Sequence, residues 1–324
     1  MLSPNNIRGL ILAALLAAAQ ISWCGDRSAE SVTVIQRAVE RSELRIPELA
    51  PFKLRAEIQA EDLNSKPLTG VYELTWASPT RWREEIRLAG YTETRIGGKA
   101  KVWQFPTRSF EAQRIRNVAR KFAVREELSF VSAESISEPK KREVEGKQVL
   151  CVKVKSRDTL DQEYCFDPAS GVLLRSRSGH EWFEYLEYQR AGAQSFPFRL
   201  VKGGKDVVRV LELRTNIQPE PGLSEPPPGI TAAPGCEYPK VPKGLKLEDP
   251  PYPRGLRGTS AQVTIFGLVG ADGAFRELQV IRSGGPEADS ATLTALSKWT
   301  FRPAVCDDMP VPFTIEVVMH FDVY

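Results

Sequence analysis

The side chains able to do chemistry in this chain are its carboxylates, its two histidines and its five cysteines. General acid–base work needs two carboxyl groups that converge on one substrate, or a carboxyl beside a histidine. The adjacent pairs Glu84-Glu85, Glu126-Glu127 and Asp307-Asp308 do not offer this, because neighbouring side chains diverge, on a strand to opposite faces. His180 and His320 are far apart in sequence, so a metal or nucleophile site built on histidine has little material. Gly97-Gly98, Gly203-Gly204 and Ser283-Gly284-Gly285 lack the lysine of a phosphate loop, and no Ser, His and Asp set or Cys and His pair is signalled. The expectation is binding and transmission, with no catalysis, cofactor or metal.

The cysteines point to a different chemistry. Arg8 precedes an apolar run from Leu10 to Ala19 with small residues at Ala17 and Ala19, the pattern of a secretory signal peptide. Residues 1–24 are therefore expected to be a signal peptide cleaved near 19–24. Two alternatives stay open. Ile21-Ser22-Trp23-Cys24 faintly resembles a lipidation box, with Trp23 where a small residue is needed; an uncleaved anchor would need about 20 apolar residues, and the run from Gly9 to Trp23 is shorter. Export leads to an oxidising compartment, where an even set of cysteines reads as disulfides. Cys151 and Cys165 lie on the strand-like runs Val149 to Val154 and Glu163 to Phe166, either side of a polar turn around Asp158, so they can bridge across a hairpin. Cys236 and Cys306 would then form the second pair. The alternative is four buried thiols.

The elements that must position these groups fall into two blocks. With 42% hydrophobic and 26% charged residues the chain can bury a core, and its length of 324 residues suggests about two domains. A net charge of +3 gives no case for nucleic acid. Ser28 to Glu43 reads as a helix with Val32, Ile35, Ala38 and Val39 on one face. From Phe52 the period becomes two, through Leu54, Ala56 and Ile58, then Tyr72, Leu74 and Trp76, then Ile86 and Leu88, and on to Trp103. This predicts an antiparallel meander with one apolar face. Ser109 to Ser132 reads as one long helical run carrying Ile115, Val118, Phe122 and Leu128; strands resume at Val144 and continue to about Asn216. Prolines crowd residues 217–249, which predicts an extended, semi-rigid linker. Beyond it, Val263 to Val269 and Phe275 to Val280 form a hairpin around Asp272-Gly273, a helix starts at Pro286, and Val311 to Tyr324 is a closing strand.

Residues 250–324 resemble the C-terminal domain of TonB, the periplasmic end of an energy transducer that reaches outer-membrane transporters. The resemblance rests on Tyr252-Pro253, Gly267, Val269, Asp272-Gly273, Ser283-Gly284, Asp289, Ala291, Trp299, Phe301, Pro303-Ala304 and Pro310-Val311 in order. The chain departs from that pattern at Leu256, at a slightly short stretch before Val263, and at Asp308, where a glycine is usual. The resemblance implies that the closing strand receives an extended peptide, flanked by Val317, Met319 and Phe321 or by Val318 and His320. The partner would be an outer-membrane transporter or another envelope protein.

Residues 28–216 resemble, on Leu74-Thr75-Trp76-Ala77-Ser78-Pro79 followed by Trp82-Arg83-Glu84-Glu85, the LolA-like half-barrels that carry lipoproteins or lipids. There the concave side takes acyl chains, so Tyr72, Leu74, Trp76, Ile86, Leu88 and Trp103 become candidate lipid contacts, the alternative being an ordinary core. The expected fold class is α+β: a curved antiparallel sheet with helices, then a small strand–strand–helix–strand domain. The expected location is the periplasm or cell envelope.

Overall fold

A computed structural model of the chain describes residues 26–27, 29–98, 101–104, 109–128, 133–156, 161–226, 233–235, 240–256, 259–306 and 308–322. The expected signal peptide, its cleavage site and Cys24 lie outside them. The first block begins with a short strand, Asp26–Arg27 (β1), and helix Ala29–Ser42 (α1). The meander follows as Phe52–Glu61 (β2), Pro67–Ser78 (β3), Arg81–Leu88 (β4), Tyr91–Gly98 (β5) and Lys101–Gln104 (β6). Each strand pairs antiparallel with the next, and Leu54 faces Leu74 across the first pair.

The long helical run expected from Ser109 to Ser132 is shorter and broken. Helix Phe110–Phe122 (α2) ends at Ala123, which turns to an extended conformation, and Val124–Glu127 (α3) follows as a single turn. Ser109 starts α2 by accepting a hydrogen bond from the Ala112 N–H at 3.3 Å, the capping that serine provides at a helix start. Strands then resume earlier than Val144: Ala133–Ile136 (β7), Lys140–Val144 (β8), Lys147–Ser156 (β9), Gln162–Phe166 (β10), Leu173–Ser178 (β11) and Glu181–Leu186 (β12). A small hairpin, Gln189–Ala191 (β13) with Gln194–Phe196 (β14), leads to Arg199–Lys202 (β15) and Lys205–Thr215 (β16).

β16 pairs back onto β2, so the meander and the later strands join into one 15-stranded sheet. Only the β1–β7 pair is parallel among the described residues. Among the described residues the two ends of this sheet do not meet, leaving it curved but unclosed. Alternation sends Phe52, Leu54, Ala56, Ile58, Leu74, Trp76, Ile86, Val152, Tyr164 and Leu200 into one core on the concave side, together with Ile115, Ala119 and Phe122 of α2. Helix and sheet approach closely at Gly70, where an added Cβ would lie 3.1 Å from Ile115.

The described parts of the proline-rich stretch are not a free spacer. Ala233–Gly235 (β17) pairs with β6 at the edge of the large sheet, and Lys243–Lys246 (β18) pairs with a strand of the second block. Extended backbone beside an unpaired edge finds ladder partners there. That second block comprises Ala261–Val269 (β19), Phe275–Arg282 (β20), helix Pro286–Leu296 (α4), Thr300–Arg302 (β21), Ala304–Cys306 (β22), Met309–Val311 (β23) and Phe313–Phe321 (β24). Gly273 takes φ 81° in the β19–β20 turn, and Pro286 occupies the first turn of α4. The closing strand starts at Phe313, later than expected, because β22 and β23 form their own hairpin before it. No described helix is long and apolar enough to cross a membrane.

Cys151 and Cys165 face each other across β9 and β10 and are bonded. Cys306 is also in a disulfide; Cys236, its expected partner, lies outside the described residues. Closing a loop with a sequence separation of 14 restricts the unfolded chain by roughly 3 kcal/mol. The double variant Cys151→Ala with Cys165→Ala should lose about that much in urea unfolding. A loss below about 1 kcal/mol would mean that the strand register alone holds the hairpin.

Candidate functional site

The second block is a three-stranded sheet in the order β20-β19-β24. β24 is therefore an edge. It runs antiparallel to β19 from Phe313 to Phe321 with no break in register, and among the described residues nothing pairs with its other side. β20 is the opposite edge and is irregular: its pairing with β19 shifts twice, and Glu277 takes φ 54°. Such bulges twist an edge away from new partners, whereas a regular edge presents a repeating row of unpaired N–H and C=O groups. Of the two edges, β24 is the one shaped to accept a strand.

The structure separates the two side-chain sets on β24. Phe321 is buried, and Ile315, Val317 and Met319 pack against the same small core as Val263, Ile265 and Leu296. Glu316, Val318 and His320 are exposed on the outer face, and Val318 is the outward apolar side chain at 45%. Tyr252 sets its ring against Phe321 at 6.4 Å and donates from its hydroxyl to the Thr259 carbonyl at 2.9 Å. A groove of about 680 Å³ opens between Tyr252-Pro253 and α4, with Glu287 and Lys298 on its rim. Asp308, where a glycine was the usual residue, takes φ 62° between β22 and β23. Aspartate tolerates the left-handed region better than most residues.

The outer face of the small sheet is only partly free. β19 is buried on both sides from Val263 to Val269, because Phe266 and Leu268 point away from the small core toward the first block. Phe110 of α2 meets Phe266 edge to face at 5.7 Å. Thr314 of β24 donates to the Gln113 side-chain oxygen at 3.3 Å, and Arg282 donates to the Leu63 carbonyl at 2.6 Å. The hairpin expected from Val263 to Val280 left open which faces of its first strand are covered. The continuous apolar run from Ile265 to Val269 was the available signal of a strand buried on both faces.

The concave face of the large sheet holds the other candidate set. Leu74, Trp76 and Ile86 are fully enclosed in the main core, with Trp76 stacked on Phe52 at 5.6 Å. Tyr72 and Leu88 are half-buried against it. The side chain of Trp103 lies outside the described residues. A cavity of about 30 Å³ beside Tyr72, Leu74 and Phe122 has room for one water.

Next to it the concave face is charged. Glu84 points inward to Arg95 at 3.4 Å, while Glu85 points outward to Arg83 and Arg87; the two neighbouring carboxylates diverge as expected. Burial alone would raise the Glu84 carboxyl, but the Arg95, Arg116, Arg45 and Arg120 guanidiniums outweigh it and hold it below the usual range. Glu127 pairs with Lys121 at 3.3 Å, but burial prevails and raises its carboxyl. The Tyr185 hydroxyl, pushed up by burial and by Glu127, donates to the Lys121 carbonyl at 2.8 Å. Cys151, Glu163 and Cys165 cluster closely enough for a metal, yet their sulfurs are bonded to each other.

Residues 248–323 match the family described as "Gram-negative bacterial TonB protein C-terminal". No curated protein matches the chain. Among solved structures, a LolA superfamily protein from Nitrosomonas europaea is similar at 9% identity, covering 61% of this chain and 99% of its own, with a TM-score of 0.39. A putative outer membrane lipoprotein-sorting protein domain from Vibrio parahaemolyticus is similar at 11% identity, covering 59% and 94%, with a TM-score of 0.40. The MucA/MucB complex of Pseudomonas aeruginosa gives 15% identity, 76% and 82% coverage and a TM-score of 0.28. Likeness at this level says nothing of what this chain binds.

Glu127 supplies a test of the concave side. Its folded carboxyl holds a proton more tightly than the ordinary value of 4.5. The resulting stability is fully present below that value and is lost as pH rises through the raised one. Glu127→Gln should remove this decline, so its urea midpoints from about pH 4 to pH 8 should fall less with pH than those of the parent chain. An unchanged slope would place the titrating group elsewhere.

Proposed function

We propose that this chain is a cell-envelope adaptor of the TonB family, acting in TonB-linked transmembrane transport by binding an extended segment of an outer-membrane transporter or another envelope protein. The observation that carries this reading is the open, regular edge of β24 within a region that matches the TonB C-terminal family. Strand addition draws affinity from main-chain hydrogen bonds and specificity from alternate side-chain pockets. On β24 the inward set Val317, Met319 and Phe321 would continue the small core beneath a guest, and Val318 and His320 would flank its outer side chains. Export into the periplasm by the apolar N-terminal segment belongs to the same reading. A carrier of lipid or lipoprotein acyl chains is the alternative, and it would require α2 to leave the concave face.

In an antiparallel edge strand, successive residues turn their N–H groups alternately toward the neighbour and toward the open side. Val317→Pro and Val318→Pro should therefore behave oppositely. One removes a ladder bond to β19 and lowers the melting temperature. The other leaves the fold intact by circular dichroism and weakens binding of peptides from the organism's own transporters at least about tenfold, because proline has no N–H for the guest. His320→Ala should change that binding less than about threefold. If no such peptide binds the folded chain, or if the folded proline variant binds as the parent does, strand addition at β24 is wrong.

A further inference from the structure

The convex face of the large sheet has an excess of positive charge that the overall composition conceals. The register places Lys53 and Arg55 of β2 beside Glu73 of β3, and Arg142 of β8 and Arg177 of β11 on either side of Glu163 of β10. Among the described residues Glu184 of β12 pairs one-to-one with Arg175 at 3.1 Å, but three other carboxylates on this face are shared. Glu73 holds Lys53 at 3.6 Å, Arg55 at 3.3 Å and also Arg87; Glu163 holds Arg142 at 3.0 Å and Arg177 at 3.2 Å; Asp206 holds Arg199 and Arg209. One carboxylate cannot neutralise two or three cations, so every such node retains positive charge. The whole chain carries only +3, and the surplus is therefore a property of where the strands send these side chains.

At one end of this face the surplus is unpaired. Lys140 lies opposite Cys151 on β8 and β9, and Lys153 and Lys155 follow Cys151 on the same side of β9. All three are exposed, and among the described residues none has an ion-pair partner. Trp182 lies on β12, three strands from β9, opposite Arg177 and on the same face. Its half-buried ring sits under two guanidiniums, Arg175 at 4.6 Å and Arg177 at 5.5 Å.

We propose that this face, from β8 to β12, docks on an anionic phospholipid surface. The cations spread over neighbouring strands of a sheet and do not converge on a cavity; the cavities under α2 and beside α4 lie elsewhere. Such an array has no cradle for a compact anion but matches a plane of negative charge. An indole set outward among basic side chains is the residue type that settles at a bilayer interface. Guanidiniums bind phosphate through two parallel N–H bonds. Each basic side chain close to an anionic bilayer contributes attraction that fades within a Debye length of about 10 Å at 0.1 M salt.

The test uses the purified chain and sedimentation with vesicles of phosphatidylglycerol in phosphatidylcholine. Vesicles of phosphatidylcholine alone measure whatever the apolar N-terminal segment contributes. Binding should require phosphatidylglycerol and should fall at least about tenfold when salt rises from about 0.05 to 0.3 M. The variant K140E/K153E/K155E reverses exposed, unpaired cations and should weaken that binding at least about tenfold. A control of equal charge change in the second block, K243E/K298E/R302E, should bind nearly as the parent does. Equal loss in both variants would mean that net charge alone attracts the chain, and the proposal falls. It falls too if phosphatidylglycerol vesicles are not bound, or if only a soluble polyanion such as heparin binds this face.

Discussion

Helix α2 is the element on which both blocks depend. Its inner residues Ile115, Ala119 and Phe122 close the concave core of the large sheet, and its first turn, through Phe110, covers the outer face of the small one. The need for this second contact is set by β19. A strand carrying Phe266 and Leu268 opposite Val263 and Ile265 is apolar on both sides, and exposing one of them to water would forgo roughly 25 cal/mol for each Å² of apolar surface left uncovered. The small sheet needs a cover, and α2 provides it at the end left free by its own core.

The large sheet solves the problem of charge differently on its two faces. Inside, Glu84 is balanced by several arginines near α2; removing one partner of a buried pair leaves the other uncompensated, so this cluster resists piecemeal change. Outside, the cations that pair with the carboxylates reach water, where an exposed pair contributes at most about 1 kcal/mol to stability. The outer arrangement therefore matters less for folding than for the field it presents to whatever approaches. A concave face with a charged cluster and a filled apolar half leaves little free surface there, while both the convex face and the β24 edge stay open.

Much of this was legible in the sequence, for identifiable reasons. Asp272-Gly273, Pro286 and the opposed Cys151 and Cys165 are local signals: a left-handed turn residue, a missing N–H at a helix start, and a register set by one hairpin. The alternation from Phe52 to Leu88 correctly gave a sheet with one apolar face, but alternation cannot say whether that face holds a ligand or a helix. Trp76 and Leu74 reach the same burial either way. The long helical run after Ser109 misled because propensity does not see the extended turn at Ala123. The pairing of β17 and β18 was hidden since proline-rich composition reports an extended backbone and not its neighbours.

The geometry of α2 also bears on how a guest strand would be read. Phe110 lies over Phe266 of β19, and Gln113 lies over Thr314 of β24. The first turn of α2 thus touches both β19 and β24. The Gln113 amide in turn donates to Asn117 at 2.9 Å, one turn further along. A strand added at the edge of β24 would lie beside Thr314, next to the helix turn that carries Gln113. Recognition by the second block would then involve a side chain of the first, and the docking of the two blocks would be part of the binding surface instead of a mere tether.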